Sequence, residues 1–300
     1  MSDKRFIDII SESTEENIKQ ADVVILDVPT DEGIKRNGGR PGASLAPDAI
    51  RAFLHKLTTN FSPDHKPLDT LRIIDSGNIT GATLEEIHET ARKKVEEYIS
   101  KGKIVIALGG GHDVTYPLAT GFYSGINKEE FSLINIDAHL DVREKKSGLH
   151  HSGSSFRLLI EDKTLRGSNF TEFGIQPFSY SKEHYDWVVN NGATVIFYDK
   201  ELIASPSKVF EKKISSIQSP LYITFDIDSV RSADAPGCSA PSPIGFSSED
   251  AIAMCFATGK HSSTRMLDIV EVSPPYDIDD KTSRLAARMI AAFLTGLANR

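Results

Sequence analysis

The chain has 300 residues, of which 39% are hydrophobic and 25% charged, and its formal net charge is −8. These values are ordinary for a globular protein, and the mixing of acidic with basic residues gives no basic surface of the kind that binds nucleic acid. Two isolated cysteines, Cys238 and Cys255, argue against a disulfide framework or a thiolate zinc site.

Short runs rich in valine and isoleucine alternate along the chain with longer amphipathic stretches. The predicted strands are ADVVILDV from Ala21, LRIIDSG from Leu71, KIVIALGG from Lys103, FSLINIDAH from Phe131, ATVIFYD from Ala193, LYITFDID from Leu221 and RMLDIVEV from Arg265. The clearest predicted helix is Leu84–Ser100. Thr83 and Glu86 have capping-box spacing at its start, and Gly102 follows its end. A second helix, expected to be buried, covers residues 285–298 and is too short to span a bilayer.

Strands that are apolar on both faces and separated by helices indicate a parallel sheet covered by helices on both sides. Such sheets place their sites at the carboxyl ends of the strands. No repeat, low-complexity tract or long linker divides the chain, so one catalytic domain over residues 1–300 is expected. The segment MSDKRFIDII lacks the apolar core of a secretory signal, which favours a cytoplasmic location.

Three clusters of metal-ligand-type side chains fall where predicted strands end. They are Gly109-Gly110-Gly111-His112-Asp113, Asp137-Ala138-His139-Leu140-Asp141 and Asp226-Ile227-Asp228. Alternate side chains of an extended strand point the same way, so Asp137, His139 and Asp141 are expected on one face. The same argument places Asp226 and Asp228 together. Because carboxylates aimed at one spot repel each other, the pattern predicts a centre of two metal ions with oxygen and imidazole ligands.

Each cluster has a simpler explanation when it is taken alone. The glycine run before His112 is typical of a tight turn or a phosphate cradle, Asp137-x-His139-x-Asp141 of a solvated strand end, and Asp226-x-Asp228 of loop capping. A nucleotide-binding protein would need the lysine-threonine pair of a P-loop or the spaced glycines of a dinucleotide fingerprint, which this sequence lacks. The agreement of clusters after three separate strands favours the metal centre.

Four motifs resemble, in this order, those of the ureohydrolase family, which includes arginase, agmatinase and formimidoylglutamase. They are GGGHD at 109–113, DAHLD at 137–141, FDIDS at 225–229 and DIVEVSPPYD at 268–277. The resemblance covers nearly the whole chain and implies a three-layer α/β/α fold with a mostly parallel sheet of about eight strands. It also implies a homo-oligomer, either a trimer or a hexamer. The ligands that it implies for two divalent ions, with Mn²⁺ expected, are His112, Asp137, His139, Asp141, Asp226 and Asp228.

Such a centre supports a hydrolytic reaction. Two metal ions about 3.5–4 Å apart can share one water and lower its pKa, which makes a bridging hydroxide available near neutral pH to attack an amidine or guanidine carbon. Asp141 is the candidate for passing a proton to the leaving nitrogen. Glu271, at the end of the run LDIVEV, is the candidate for pairing with the cationic amidine, with a structural ion pair as its simpler explanation. The same ligands accept Zn, Fe, Co and Ni, so the identity of the ion stays open.

Arg143 stands two residues beyond Asp141, where a guanidinium would attract a substrate carboxylate and repel a cationic tail. A surface arginine on the loop is the simpler explanation. An arginine at this place resembles the formimidoylglutamase branch, which cleaves N-formimino-L-glutamate to L-glutamate and formamide in histidine breakdown. The stretches DEGIKRNGGRPGA from Asp31 and APGCSAPSPIG from Ala235 are similar to the same branch. The expected partner is therefore a small amidine that bears carboxylates, with no nucleic acid or membrane.

One loop departs from the HGTPFR pattern of agmatinases. It reads His150-His151-Ser152-Gly153-Ser154-Ser155-Phe156-Arg157 here, so Ser152 stands where agmatinases have a proton-shuttling histidine. His151 could substitute if the loop shifts, and Arg157 either holds a carboxylate or braces the loop. Two other interpretations stay open: another ureohydrolase that releases urea, such as an agmatinase, an arginase or a guanidino-acid hydrolase, and a metal-stabilised binding protein without turnover.

Overall fold

The computed structural model describes residues 3–60 and 62–300. Within these residues nine strands form one sheet, in which every neighbouring pair is parallel. The strands are β1 (Ile10–Glu12), β2 (Val23–Asp27), β3 (Ile73–Asn78), β4 (Ile104–Leu108), β5 (Ser132–Ile136), β6 (Phe170–Ile175), β7 (Thr194–Phe197), β8 (Leu221–Asp226) and β9 (Thr264–Val270). Their order across the sheet is β1-β3-β2-β4-β9-β8-β5-β6-β7.

Helices cover both faces of the sheet. They are α1 (Glu15–Gln20), α2 (Glu32–Asn37), α3 (Ala46–Leu54), α4 (Leu84–Ser100), α5 (Thr115–Gly125), α6 (Ser155–Glu161), α7 (Lys182–Asn190), α8 (Lys200–Ala204), α9 (Pro206–Ser215), α10 (Ser248–Lys260) and α11 (Lys281–Ala298). Helices α3, α8, α9, α10 and α11 bury apolar side chains against one face, and α4 to α7 against the other. The three-layer α/β/α fold predicted from the sequence is confirmed, with nine strands where about eight were expected.

The alternation of side chains along the strands explains the two apolar layers. Ile106 of β4 packs into the layer beneath α3 and α11, whereas its neighbours Val105 and Ala107 pack into the layer beneath α4 and α5. Both layers are fully shielded from water, which explains why the central strands read as continuous apolar runs.

The predicted helix ends are also confirmed. The Thr83 side chain accepts a hydrogen bond from the Glu86 amide at 3.2 Å, and Gly102 has a φ of 76° just beyond the end of α4. The expected buried helix at 285–298 forms most of α11, whose apolar side chains are covered. None of the helices in the described residues is long and apolar enough to cross a membrane.

Two strands lie outside the predicted set. Strand β1 has only three residues and lies at the edge of the sheet, so its sequence carries little hydrophobic pattern. Strand β6 is buried throughout, yet Thr171, Glu172 and Gly174 interrupt its apolar run. A buried glutamate inside a strand is unusual enough to hide the strand from a pattern search.

The order of the strands determines where a site can form. Strands β4, β9, β8 and β5 are consecutive neighbours, and because they are parallel their carboxyl ends lie along one edge. The turn after β4 passes directly against another backbone segment. A Cβ atom on Gly110 would lie 1.6 Å from the carbonyl oxygen of Thr30, so the glycine run is needed for this close approach.

Candidate metal centre

The predicted ligands converge at the edge formed by β4, β9, β8 and β5, but not by strand alternation. Strand β5 ends at Ile136, just before Asp137, and Asp228 lies in a 3₁₀ turn that follows β8. The prediction that an extended strand aligns these side chains is therefore wrong. Loops place them instead, as expected for functional residues supported by a rigid sheet.

A hydrogen bond within each motif turns the chain back towards the site. The Asp137 carboxylate accepts from the amide of His139 at 2.7 Å, and the Asp226 carboxylate accepts from the amide of Asp228 at 2.8 Å. These are Asx turns, in which an aspartate stabilises a bend by bonding its own backbone two residues on. Asp141 then has a φ of 45°, a left-handed conformation that is uncommon outside glycine.

The first cluster consists of His112, Asp137, Asp141 and Asp226. His112 Nδ1 lies 3.3 Å from Asp137 Oδ2, 3.1 Å from Asp141 Oδ2 and 3.1 Å from Asp226 Oδ2. All four side chains are buried or nearly so, and Asp141 is the most accessible with 16% of its side chain exposed. One nitrogen that follows β4, two oxygens that follow β5 and one oxygen at the end of β8 thus surround a common point.

The second cluster consists of Asp137, His139 and Asp228. His139 Nδ1 lies 3.4 Å from Asp137 Oδ1 and 3.1 Å from Asp228 Oδ2. Asp137 therefore contributes Oδ2 to the first cluster and Oδ1 to the second, and it is the carboxylate that the two clusters share.

The spacing and chemistry of these atoms fit two divalent cations. Ligand atoms bound at right angles to one ion, each at about 2.1 Å, are about 3 Å apart, which is close to the separations observed here. His112 Nδ1 and Asp228 Oδ1 are buried without a hydrogen-bond partner. Buried polar atoms are normally paired, so a histidine nitrogen that faces three carboxylate oxygens without a hydrogen bond is suited to bind an ion.

The electrostatics of the clusters indicate the same need for cations. Burial, together with the charges of neighbouring aspartates, raises the pKa of Asp226 well above its usual range, and burial likewise raises the pKa of Asp228. The pKa of His139 is raised, chiefly by the negative charge of Asp228. Four aspartates and two histidines leave an excess of negative charge in a buried site, which divalent ions would neutralise.

A buried polar network supports His112 from behind. Its second ring nitrogen, Nε2, lies 3.0 Å from the hydroxyl of Thr224, which is 3.3 Å from the hydroxyl of Thr115. Thr115 donates to Asp268 at 3.0 Å, and the hydroxyl of Tyr222 donates to the same carboxylate oxygen. Groups that hold the second nitrogen of a histidine fix its orientation towards a metal. The sequence reasoning did not find this network, although Thr224 precedes Asp226 by two residues on one strand face.

Glu271 lies beside the clusters and not within them. It follows β9, is 5% exposed, and has a φ of 64°. Its amide donates to the carbonyl of Gly110 at 2.8 Å, and its carboxylate accepts from the amide of His112 at 2.9 Å. Burial raises the pKa of Glu271 to about 8, with further contributions from the nearby aspartates. A cation bound beside this carboxyl group would favour its ionised form, so the position is suited to receive a cationic ligand.

Two cavities adjoin the clusters and share three lining residues, His139, Asp141 and Arg143. The inner cavity, of about 220 Å³, is lined by Asp141, Asp226, Asp228, Glu271 and the loop 37–39. The outer cavity, of about 310 Å³, is lined by His139, Asp141, His184 and the loop 178–181. The guanidinium of Arg143 is the positive group among the residues that line both. It donates to the side-chain oxygen of Asn37 at 3.1 Å.

The loop at 150–157 is arranged differently from the agmatinase pattern. Ser152 lines the inner cavity, whereas His151 points into the loop, with Nε2 2.9 Å from the carbonyl of Glu144 and Nδ1 accepting from the amide of Gly153 at 3.1 Å. Arg157 pairs with Glu144 and Glu161 and lies over a tryptophan ring. His151 and Arg157 therefore brace the loop and do not face the clusters.

Cavity size alone does not locate the site. A larger cavity, of about 610 Å³, lies near the amino ends of β5 and β6, at the opposite edge of the sheet. Its rim includes Lys128, Glu130 and Arg166, and it contains none of the predicted ligands. We therefore identify the site from its convergent donor atoms.

Known proteins resemble this chain in sequence and fold over nearly its whole length. A model of the arginase family matches residues 21–296. The formimidoylglutamases of Halalkalibacterium halodurans and Fusobacterium nucleatum are 31% and 32% identical, over 85% and 87% of this chain and 82% of each relative. The crystal structure of Trypanosoma cruzi formiminoglutamase with two Mn²⁺ ions has a TM-score of 0.93 and 33% identity, with 100% of both chains covered.

Replacing one histidine at a time should remove one metal ion at a time. His112→Ala and His139→Ala are each expected to lower bound manganese from about two ions per chain to about one, because each histidine belongs to a single cluster. Inductively coupled plasma mass spectrometry after dialysis measures the content. Asp234→Asn, which alters a carboxylate paired with Arg231 elsewhere, is the control and should retain both ions. Full manganese content in both histidine variants would contradict the assignment.

Proposed function

This chain belongs to the arginase family, and we propose that it hydrolyses the amidine C–N bond of N-formimino-L-glutamate to give L-glutamate and formamide. The family resemblance inferred from the motifs is thereby confirmed. The observation that carries the proposed substrate is the arrangement of charges along the cavities. Carboxylates line the inner cavity, where a cationic amidine would bind, and Arg143 lines both cavities, where it would hold a substrate carboxylate.

We propose that the two clusters bind two Mn²⁺ ions, as in the Trypanosoma cruzi enzyme. The ligands are His112, Asp137, His139, Asp141, Asp226 and Asp228. When bound, such a pair of ions supplies Lewis acidity that activates the attacking water near neutral pH. The protein side chains then have to bind the amidine, orient it and move its protons.

Glu271 is the proposed anchor for the amidine group. Its carboxylate is buried next to the clusters, and the His112 amide holds one of its oxygens. An amidinium ion beside it would form a charge-assisted hydrogen bond, which is strong in a site shielded from water. This contact would fix the amidine carbon towards the clusters.

Asp141 is the proposed proton carrier. It is the most exposed member of the first cluster and lines both cavities, so a bound substrate would lie against it. The attacking water loses a proton as its oxygen bonds to the amidine carbon, and the nitrogen of glutamate gains a proton as its bond to that carbon breaks. One carboxylate next to both atoms can accept the first proton and supply the second.

The tail of the substrate would extend through the mouth of the inner cavity. Arg143 would hold the carboxylate next to the cleaved bond, and the second carboxylate would then reach the outer cavity. His184 lines the outer cavity. Burial lowers the pKa of its imidazole, and the positive guanidinium of Arg143 nearby lowers it further. Two groups that donate to anions would suit a dicarboxylate better than the amine tail of agmatine.

We also propose a cytoplasmic location and a homo-oligomer, either a trimer or a hexamer, as the family resemblance implies. Both cysteines are buried free thiols, which is consistent with a reducing compartment.

A substrate panel tests the proposed reaction. Manganese-loaded protein is incubated with formiminoglutamate, arginine, agmatine and guanidinobutyrate, and formamide and urea are quantified. We expect formamide from formiminoglutamate and little urea from the other three. Arg143 would repel the ammonium tail of agmatine, and arginine and guanidinobutyrate each lack the second carboxylate that would reach the outer cavity. Rapid urea release from guanidinobutyrate with no formamide from formiminoglutamate would instead identify a guanidino-acid hydrolase.

Arg143→Ala should mainly weaken substrate binding. A hydrogen bond to a charged group contributes about 1.5–3 kcal/mol, so KM for formiminoglutamate should rise about 10- to 100-fold while kcat changes little. Steady-state kinetics measure both constants. Arg166→Ala is the control, because that arginine pairs with Glu130 at the opposite edge of the sheet, and its KM should stay near the wild-type value. An unchanged KM in Arg143→Ala would exclude the carboxylate contact.

Asp141→Asn should abolish turnover even if manganese is retained. The amide keeps the shape of the side chain but cannot accept a proton, and general acid–base catalysis typically contributes about 10²- to 10⁴-fold. Single-turnover kinetics, with metal content measured on the same sample, separate lost chemistry from lost metal. A variant that retains two ions and a wild-type rate would rule out Asp141 as the proton carrier.

A further inference from the structure

A buried carboxyl group next to the clusters has no part in the chemistry above. Glu172 lies on β6 and Asn135 on β5, both are 0% exposed, and they are direct partners in the pairing of the two strands. We propose that Glu172 is a positioning residue that orients the Asn135 amide and, through it, Asp137, the carboxylate shared by both clusters. This role presupposes the metal ligands proposed above.

The hydrogen bonds form a short relay between two strands. Nδ2 of Asn135 donates to Asp137 Oδ2 at 3.1 Å and to Glu172 Oε2 at 2.8 Å. Both hydrogens of one amide nitrogen are therefore taken by carboxylates. Asp137 Oδ2 is also the oxygen that faces His112 Nδ1 in the first cluster, so the relay ends on a proposed ligand atom.

The amide group of Asn135 has a donor, Nδ2, and an acceptor, Oδ1, and only the donor can form a hydrogen bond with the Asp137 carboxylate. Half a turn about the Cβ–Cγ bond would direct Oδ1 at the Asp137 carboxylate, so that two acceptors would face each other. The Asn135 Oδ1 atom has no hydrogen-bond partner of its own among the described residues. The acceptors on Asp137 and Glu172 therefore both favour this orientation of the amide, and Glu172 is the one of the two that is not itself a proposed ligand.

Stability of the fold does not explain why Glu172 is buried. Its other oxygen, Oε1, is buried without a hydrogen-bond partner, which is unfavourable. Burial raises the pKa of Glu172 well above its usual range, and the charges of Asp137 and Asp141 add to this effect against the opposing hydrogen bond from Asn135. One hydrogen bond to Asn135 is a small return for burying a carboxyl group with an unpaired oxygen, so a role in the site accounts better for this residue.

Titration calorimetry of Mn²⁺ into metal-free protein, with thermal melting of the same sample, tests the proposal. Glu172→Met removes the acceptor oxygen and keeps a side chain of similar size. We expect it to weaken the binding of the ion held with His112 by about 10- to 100-fold, as for other outer partners of metal ligands. The Tm of the metal-free protein should change little, because loss of the unpaired Oε1 offsets the amide hydrogen that Asn135 then leaves unpaired. Glu172→Gln keeps an acceptor oxygen and should bind Mn²⁺ as the wild type does. Thr171→Val, whose side chain points to the opposite face of β6, is the control and should leave binding unchanged.

A double-mutant cycle checks that the effect passes through Asn135. Asn135→Ala should cause a similar loss of affinity, and combining it with Glu172→Met should cause no further loss, because residues acting in series are not additive. Wild-type affinity in Glu172→Met, an equal loss in Glu172→Gln, or additive losses in the double variant would overturn the role of Glu172. Absence of Mn²⁺ binding to the wild type would overturn the metal assignment as well, so the two failures are distinguishable.

Discussion

Repulsion among buried carboxylates is the constraint on which the site depends. Four aspartates reach one edge of the sheet from β5 and β8, and only two histidines and nearby amides offset their charge. In a site of low dielectric constant such a group is stable only with cations, or with protons bound at raised pKa values. The fold makes the cluster unavoidable, because β4, β9, β8 and β5 are parallel neighbours and end together. The shared carboxylate of Asp137 then couples the two halves of the site.

The backbone is adapted to the same requirement. Asp141 and Glu271 both have positive φ angles, of 45° and 64°, where non-glycine residues are uncommon. Gly110 passes so close to Thr30 that no side chain would fit. These features are unfavourable locally, and the packed apolar layers on either side of the sheet hold them in place. The resulting site keeps its ligands at the ends of rigid strands, while the groups proposed to bind the carboxylates of the substrate, Arg143 and His184, come from the loop after β5 and from α7.

The sequence predicted the parts of the structure that a local pattern encodes. Apolar runs revealed the central strands, and the capping residues gave both ends of α4. The ligand motifs also led to one site, because each follows a strand. The explanation by strand alternation was wrong, since Asx turns at Asp137 and Asp226 bend the chain instead. Contacts between residues far apart in the sequence could not be predicted. Neither the hydrogen bond of Thr224 to His112 nor the pairing of Asn135 with Glu172 can be inferred without the order of the strands. Strand β6 was missed because that glutamate interrupts its apolar run.

The central claim is that two cations bind side by side and share Asp137. Anomalous diffraction from crystals grown with Mn²⁺, recorded near the manganese absorption edge, tests it most directly. Two peaks per chain are predicted, one in contact with His112 Nδ1 and the other with His139 Nδ1, with one oxygen of Asp137 directed at each. A single peak, or two peaks that leave Asp137 bound to only one ion, would contradict the account.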